Sequence, residues 1–162
     1  MTYTPSSPGG SDDVRIRPAT PDEFDAVAEL WRDSILSMDG VNPAAVNVQR
    51  LRSRIYDGVR TGWQLHVAER GGRMVAMMAL NPAQSTIDQL FVVPEFQGKG
   101  IGPRLLRTAV ERLPGRITLR TALSNHHARR VYEACGWRYV PLPPDADPEL
   151  EPCVYEWPGR TE

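Results

Sequence analysis

The chain has 162 residues, of which 41% are hydrophobic and 24% charged, with a formal net charge of −1. That length suits one domain with a core of real size, and the composition is that of an ordinary globular protein. The near-zero charge excludes a bulk electrostatic case for binding nucleic acid or an anionic membrane surface.

The basic residues are eighteen arginines and a single lysine, Lys99. Cys135 and Cys153 are read as free thiols in a reducing, cytoplasmic compartment. Residues 1–13 are polar and carry no apolar run. They are expected to form a disordered tail, neither signal peptide nor membrane span, before one domain over residues 14–162.

Residues 14–18 alternate apolar and polar, which predicts a short strand. Thr20, Pro21 and Glu23 announce a helix through a capping box with proline at its first position. Phe24, Val27, Ala28, Leu30, Trp31 and Ile35 form its apolar stripe. A loop over 37–42 and a second helix over 43–59 follow, with Val46, Leu51, Ile55 and Tyr56 inward. Residues 63–69 alternate again, Trp63, Leu65 and Val67 against Gln64, His66 and Ala68. Arg70-Gly71-Gly72-Arg73 is a hairpin turn into a returning strand over 74–80.

The most informative stretch is 85–104. Leu90, Phe91, Val92 and Val93 read as a buried strand that Pro94 ends, because proline gives no N–H to a ladder. A turn with Gly98, Gly100 and Gly102 leads to Ile101, Leu105, Leu106, Val110 and Leu113 at helical spacing. Strand, glycine-rich turn and helix together bring unpaired backbone N–H groups to a helix N-terminus, where an anion can sit. Two common phosphate loops fail on spacing. A Walker A loop would need glycine at Val93 and a hydroxyl residue at Gly100. The dinucleotide fingerprint would need its third glycine at Pro103 or Leu105.

Beyond this, residues 116–122 alternate as a strand, and Ser124 or Asn125 caps a helix running to about Cys135, with Gly136 as its stop. Steps of three and four place Asn125, Ala128 and Tyr132 on one stripe of that helix. Residues 137–140 form a strand, 141–152 an acidic, proline-rich loop, and 153–157 the last strand. His126 and His127 are adjacent and share no helix face, so no metal site is expected.

What remains at the loop is Gln97-Gly98-Lys99-Gly100-Ile101-Gly102 after Val-Val-Pro-Glu, and downstream Asn125-x-x-Ala128-x-x-x-Tyr132-x-x-x-Gly136-Trp137. Together, in this order, they resemble the GNAT acetyltransferase family over residues 14–157. The resemblance implies an α/β fold with a central mixed, mostly antiparallel twisted sheet of six to seven strands flanked by about four helices. It implies an enzyme that moves acetyl from acetyl-CoA, as cosubstrate, to a primary amine of a small molecule or peptide in a ternary complex.

By the same resemblance, Leu90, Phe91 and Val92 hydrogen-bond the pantetheine arm through the backbone. Gln97, Gly98, Lys99, Gly100, Ile101, Gly102 and Pro103 form the pyrophosphate loop, and Asn125 meets the arm. Tyr132 is the acid that protonates the leaving thiolate. Homodimers are frequent in the family. Two positions depart from its pattern. Pro103 removes one loop N–H, and Arg120 stands where some members carry a glutamate base. Asp88 is then the nearest carboxylate candidate for the base, and His66 the second. A non-catalytic acyl-CoA-binding sensor or interaction domain is the alternative.

Overall fold

The computed structural model describes residues 13–38, 40–145, 147 and 153–159. The expected tail, apart from Asp13, and much of the acidic loop lie outside the described residues. The elements are β1 (Val14–Pro18), α1 (Phe24–Leu36), α2 (Val48–Arg60), β2 (Gln64–Arg70), β3 (Arg73–Asn81) and β4 (Thr86–Val92). They continue with α3 (Ile101–Arg112), β5 (Ile117–Thr121), α4 (His126–Ala134), β6 (Arg138–Val140) and β7 (Cys153–Trp157). The seven strands form one sheet in the order β1-β2-β3-β4-β5-β7-β6. Every neighbouring pair is antiparallel except β4 and β5.

Local chemistry explains the element starts. The Thr20 N–H donates to Glu23 Oε1 at 2.9 Å, so the capping box forms around a short 3₁₀ turn, Pro21–Glu23, that feeds α1. Arg17 then clamps β1 to this turn through Glu23 (2.6 Å) and also meets Glu69 of β2. The second helix starts later than the sequence suggests. Residues Pro43–Ala45 make only a 3₁₀ turn, and Asn47 is the true N-cap, accepting from the Gln49 N–H at 2.8 Å. Tyr56 lies largely outside the core, at 43% exposure, with its edge against the Phe24 ring 5.3 Å away.

The core lies on both faces of the sheet. Val75 to Leu80 of β3 are all buried, and a strand buried on both sides needs cover on both. On one face Trp31 of α1 reaches Phe91 of β4 at 6.1 Å, while Trp63 packs on Gly58 of α2. The other face is covered by α3, which buries Ile101, Leu105, Leu106 and Ala109. In β2 the alternation fails for this reason: His66 and Ala68 are buried as fully as Leu65 and Val67.

His66 is 3% exposed, and its Nε2 has no hydrogen-bond partner among the described residues. Burial, with a smaller contribution from Arg112, lowers its pKa below the ordinary 6.5. The folded state therefore holds it neutral, while the unfolded chain protonates it as pH falls through 6.5. Its contribution is present above that pH and is lost below it. We expect the His66→Leu variant to flatten the fall in melting temperature between pH 7 and 5, as followed by calorimetry, with little loss at pH 7.5. A second expectation concerns Gly58. A Cβ there would stand 2.3 Å from Trp63 Cε3, so Gly58→Ala must displace the indole. A cost of about 1–3 kcal/mol in chemical denaturation is expected.

Candidate active site

The site begins where two parallel strands part. β4 and β5 are in register only at Thr86↔Thr118 and Ile87↔Leu119. Past that point β4 keeps its pairing with β3, up to Ala76↔Val92. The Val93 N–H donates to the Val75 carbonyl at 3.0 Å. By antiparallel alternation Phe91 also turns its backbone to β3, and Leu90 and Val92 turn theirs into the gap. Leu90 and Val92 thus present a free strand edge, whereas Phe91 contributes its ring, packed against Trp31. Gln97 Nε2 donates to the Val92 carbonyl at 3.0 Å, which ties the loop to the end of that edge. The gap opens into a cleft of about 810 Å³. Leu90, Phe91 and Val92 are half-buried, less than the sequence suggests, because they line it.

At the wide end stands the glycine loop. Gly98 (φ +74°) and Gly100 (φ +83°) occupy the left-handed region, which side chains rarely adopt. Gly100 is the N-cap of α3 and offers no side-chain cap. Among the described residues, the N–H groups of Gly98, Lys99, Gly100, Ile101 and Gly102 have no acceptor, while Arg104 donates to the Gly100 carbonyl at 3.3 Å. Pro103 is the third residue of the helix and brings no N–H. The result is a cradle of unpaired amides at a helix N-terminus. Gln97, Gly98, Gly100, Gly102 and Pro103 line the cleft. The side chains of Lys99 and Ile101 do not. Lys99 Nζ lies 5.3 Å from the Phe96 ring centre, and Ile101 is core at 1% exposure. What these two offer at the loop is charge nearby and backbone N–H.

The opposite wall is α4. Asn125 caps it, its side-chain oxygen accepting from the Ala128 N–H at 3.3 Å, which leaves its amide NH₂ free to donate. Asn125, Ala128 and Tyr132 all line the cleft, as their spacing suggests. Gly136 (φ +86°) ends the helix, with Trp137 N–H donating to the Tyr132 carbonyl at 3.0 Å. Tyr132 is 7% exposed, and its hydroxyl bonds to no other described residue. Burial, with a smaller contribution from Tyr155, pushes the phenol up to about 12. The phenol therefore stays protonated across the physiological range.

At the narrow end is Asp88. The register passes from Ala79↔Gln89 to Leu80↔Ile87, so Asp88 is the extra residue of a bulge. Its carboxylate accepts from Trp63 Nε1 (2.8 Å), Asn81 Nδ2 (3.2 Å) and Thr86 Oγ1 (2.6 Å). His66, the second candidate for a base, is not among the cleft-lining residues; it is buried in the sheet. Sequence reasoning missed Ser34, Ser37 and Met38, which bring the end of α1 to the cleft. Ser34 left a signal, being a hydroxyl at an inward position of the stripe after Val27 and Trp31. Among the described residues, no group of three His, Cys, Asp or Glu stands close enough to hold a metal ion. No described helix is long and apolar enough to cross a membrane.

Comparisons with known proteins bear on the family and the fold. The family model described as "Acetyltransferase (GNAT) family" matches residues 26–137. A Mycobacterium tuberculosis protein with the name "probable N-acetyltransferase" is 33% identical over 138 residues, covering 74% of this chain and 77% of its own. In fold, yncA of Salmonella typhimurium, solved with its cofactor acetyl-CoA, superposes with a TM-score of 0.68 at 16% identity, over 90% of this chain and 93% of its own. A phosphinothricin acetyltransferase from Sinorhizobium meliloti, in complex with AcCoA, gives 0.69 at 16% identity, over 90% and 88%. With the match spanning the split sheet, the glycine loop and the capped tyrosine helix alike, the chain belongs to the GNAT acetyltransferase family.

Proposed function

We propose that the protein moves an acetyl group from acetyl-CoA to a primary amine of a small molecule or peptide, by direct transfer with both substrates bound. The observation that carries this reading is the parting of β4 and β5 after two registered pairs. It leaves a strand edge free to bind an amide-bearing arm, with an amide-lined loop at one end.

The residues fit acetyl-CoA on their own chemistry. Leu90 and Val92 offer the backbone groups that an extended amide chain needs, in the manner of an added strand. The unpaired N–H groups of Gly98 to Gly102 suit a pyrophosphate, and Gly98 and Gly100 put no Cβ in its way. Asn125 donates its free NH₂ to the arm. Transfer forms an N–C bond and breaks the thioester C–S bond. Asp88 has three of its roughly four acceptor positions taken, which leaves about one for the amine and its departing proton. A strand amide at the bulge polarises the thioester carbonyl. Tyr132 returns a proton to the sulfur as it leaves.

The first test is calorimetric titration with acetyl-CoA, followed in the same sample by thiol release with a panel of amines. Binding with release for one amine class supports the enzyme. Binding with no release for any amine would sink it in favour of a sensor, the reading that Pro103 favours.

Two variants sharpen the mechanism. Tyr132→Phe should lower kcat by about a hundredfold or more while acetyl-CoA affinity is kept. Because the phenol must be protonated to act and sits up at about 12, the wild-type rate should show no alkaline loss from this group near pH 10, the ordinary tyrosine value. Pro103→Ala restores an N–H to the first turn of α3 and should tighten acetyl-CoA binding by about two- to tenfold.

A further inference from the structure

The narrow end of the cleft carries an arginine, Arg120, that acetyl transfer alone leaves without a task. Pairing of β4 with β5 ends at Ile87↔Leu119. Asp88 and Arg120 are therefore the first residues on either lip of the gap, and both line the cleft. They project from the same face of the sheet. Thr86 and Thr118 are registered partners and share a face, and alternation along β5 puts Arg120 with Thr118. The Thr86 hydroxyl reaches Asp88 at 2.6 Å on that face. Trp63, seated on Gly58 of α2, meets Asp88 from the same side, so this is the face that α1 and α2 cover.

Arg120 is the one arginine among the described cleft-lining residues, and no described carboxylate pairs with it. The acid on the same face of β7, Glu156, is held by Arg116 at 2.5 Å and Arg138 at 3.6 Å. A second group in the same cleft is also unsatisfied. Ser34 of α1 is 3% exposed, and its hydroxyl has no hydrogen-bond partner. Arg120 is exposed to solvent within the cleft, where its guanidinium suits a ligand that brings an anion, and the buried Ser34 hydroxyl without a partner suits one that brings an acceptor oxygen. A polycationic amine would meet Arg120 as a like charge.

Building on the acetyltransferase reading, we propose that the acceptor is an amino-acid-like zwitterion, a primary amine bearing a carboxylate. Arg120 holds that carboxylate with its planar fork, and the Ser34 hydroxyl is a further donor. Asp88, on the opposite lip, faces the amine. Arg120 is thus a specificity residue and takes no part in the proton transfers.

The test uses the full chain with acetyl-CoA and paired probes, each amino acid against its amino alcohol: alanine with alaninol, methionine with methioninol, phenylalanine with phenylalaninol. A further pair, β-alanine and phosphoethanolamine, separates carboxylate from phosphate. At least one acid should exceed its alcohol in kcat/KM by about tenfold or more. That ratio should fall to near one in Arg120→Gln and recover in part in Arg120→Lys, with melting temperature and acetyl-CoA affinity close to wild type. Ser34→Ala should lower kcat/KM for the acid several-fold.

A wild-type ratio near one, a ratio that survives in Arg120→Gln, a preference for phosphoethanolamine, or no turnover of any carboxylated amine would each overturn the proposal. Failure to bind acetyl-CoA is a different result, and overturns the acetyltransferase reading beneath it.

Discussion

Two registered residue pairs join β4 to β5, and the site follows from where that pairing stops. A parallel pair inside a sheet ordinarily hides its backbone groups in a continuous ladder. Here β4 continues for five residues with β3 on one side and open space on the other. Backbone N–H and C=O groups inside a protein need partners, so an edge left open at the centre of a sheet is a demand for a ligand. The protein meets part of that demand itself, through the Gln97 side chain on the Val92 carbonyl. The rest stays available to an extended chain bearing amides.

The ends of the gap differ in kind. The wide end carries no anion-binding side chain in its cradle, only unpaired N–H groups held outward by two left-handed glycines. Phe96 gathers the positive charge around it, with Arg70, Arg73 and Lys99 each between 5.3 and 5.4 Å from its ring. The narrow end is built from side chains. The bulge at Asp88 lets one carboxylate leave the ladder and be held by donors from Trp63, just before β2, Asn81 of β3 and Thr86 of β4. Unpaired backbone N–H groups thus mark one end of the cleft and a held carboxylate the other.

Tyr132 lines the same cleft, positioned by two features of α4. Asn125 fixes where the helix begins, and the Gly136 turn fixes where it ends, with the Trp137 N–H donating to the Tyr132 carbonyl at 3.0 Å. The ring is buried against Tyr155 at 5.5 Å, and Tyr155 is itself pinned between Arg129 and Glu133. Burial raises the phenol, so the same packing that orients the group also keeps it protonated.

Much of this was legible in the chain, for reasons confined to short stretches. Capping chemistry at Thr20 and Asn125, the Gly71-Gly72 turn, the glycine loop after Pro94 and the Gly136 stop all act within a few residues. Backbone sterics and local hydrogen bonds decide them wherever they occur. Apolar spacing likewise marked α1, α2, α3 and the strands near 14–18, 63–69 and 116–122, although the 3₁₀ turn at Pro43–Ala45 delayed α2 to the Asn47 cap. Tertiary structure alone decided what depends on partners distant in sequence. The two-pair limit of β4 and β5, the bulge that frees Asp88, the burial of both faces of β2 and the arrival of Ser34 at the cleft are of that kind. A residue's spacing says which face it shares with its neighbours along the chain. Register and sheet order, which set what that face meets, arise only when strands far apart in sequence pair.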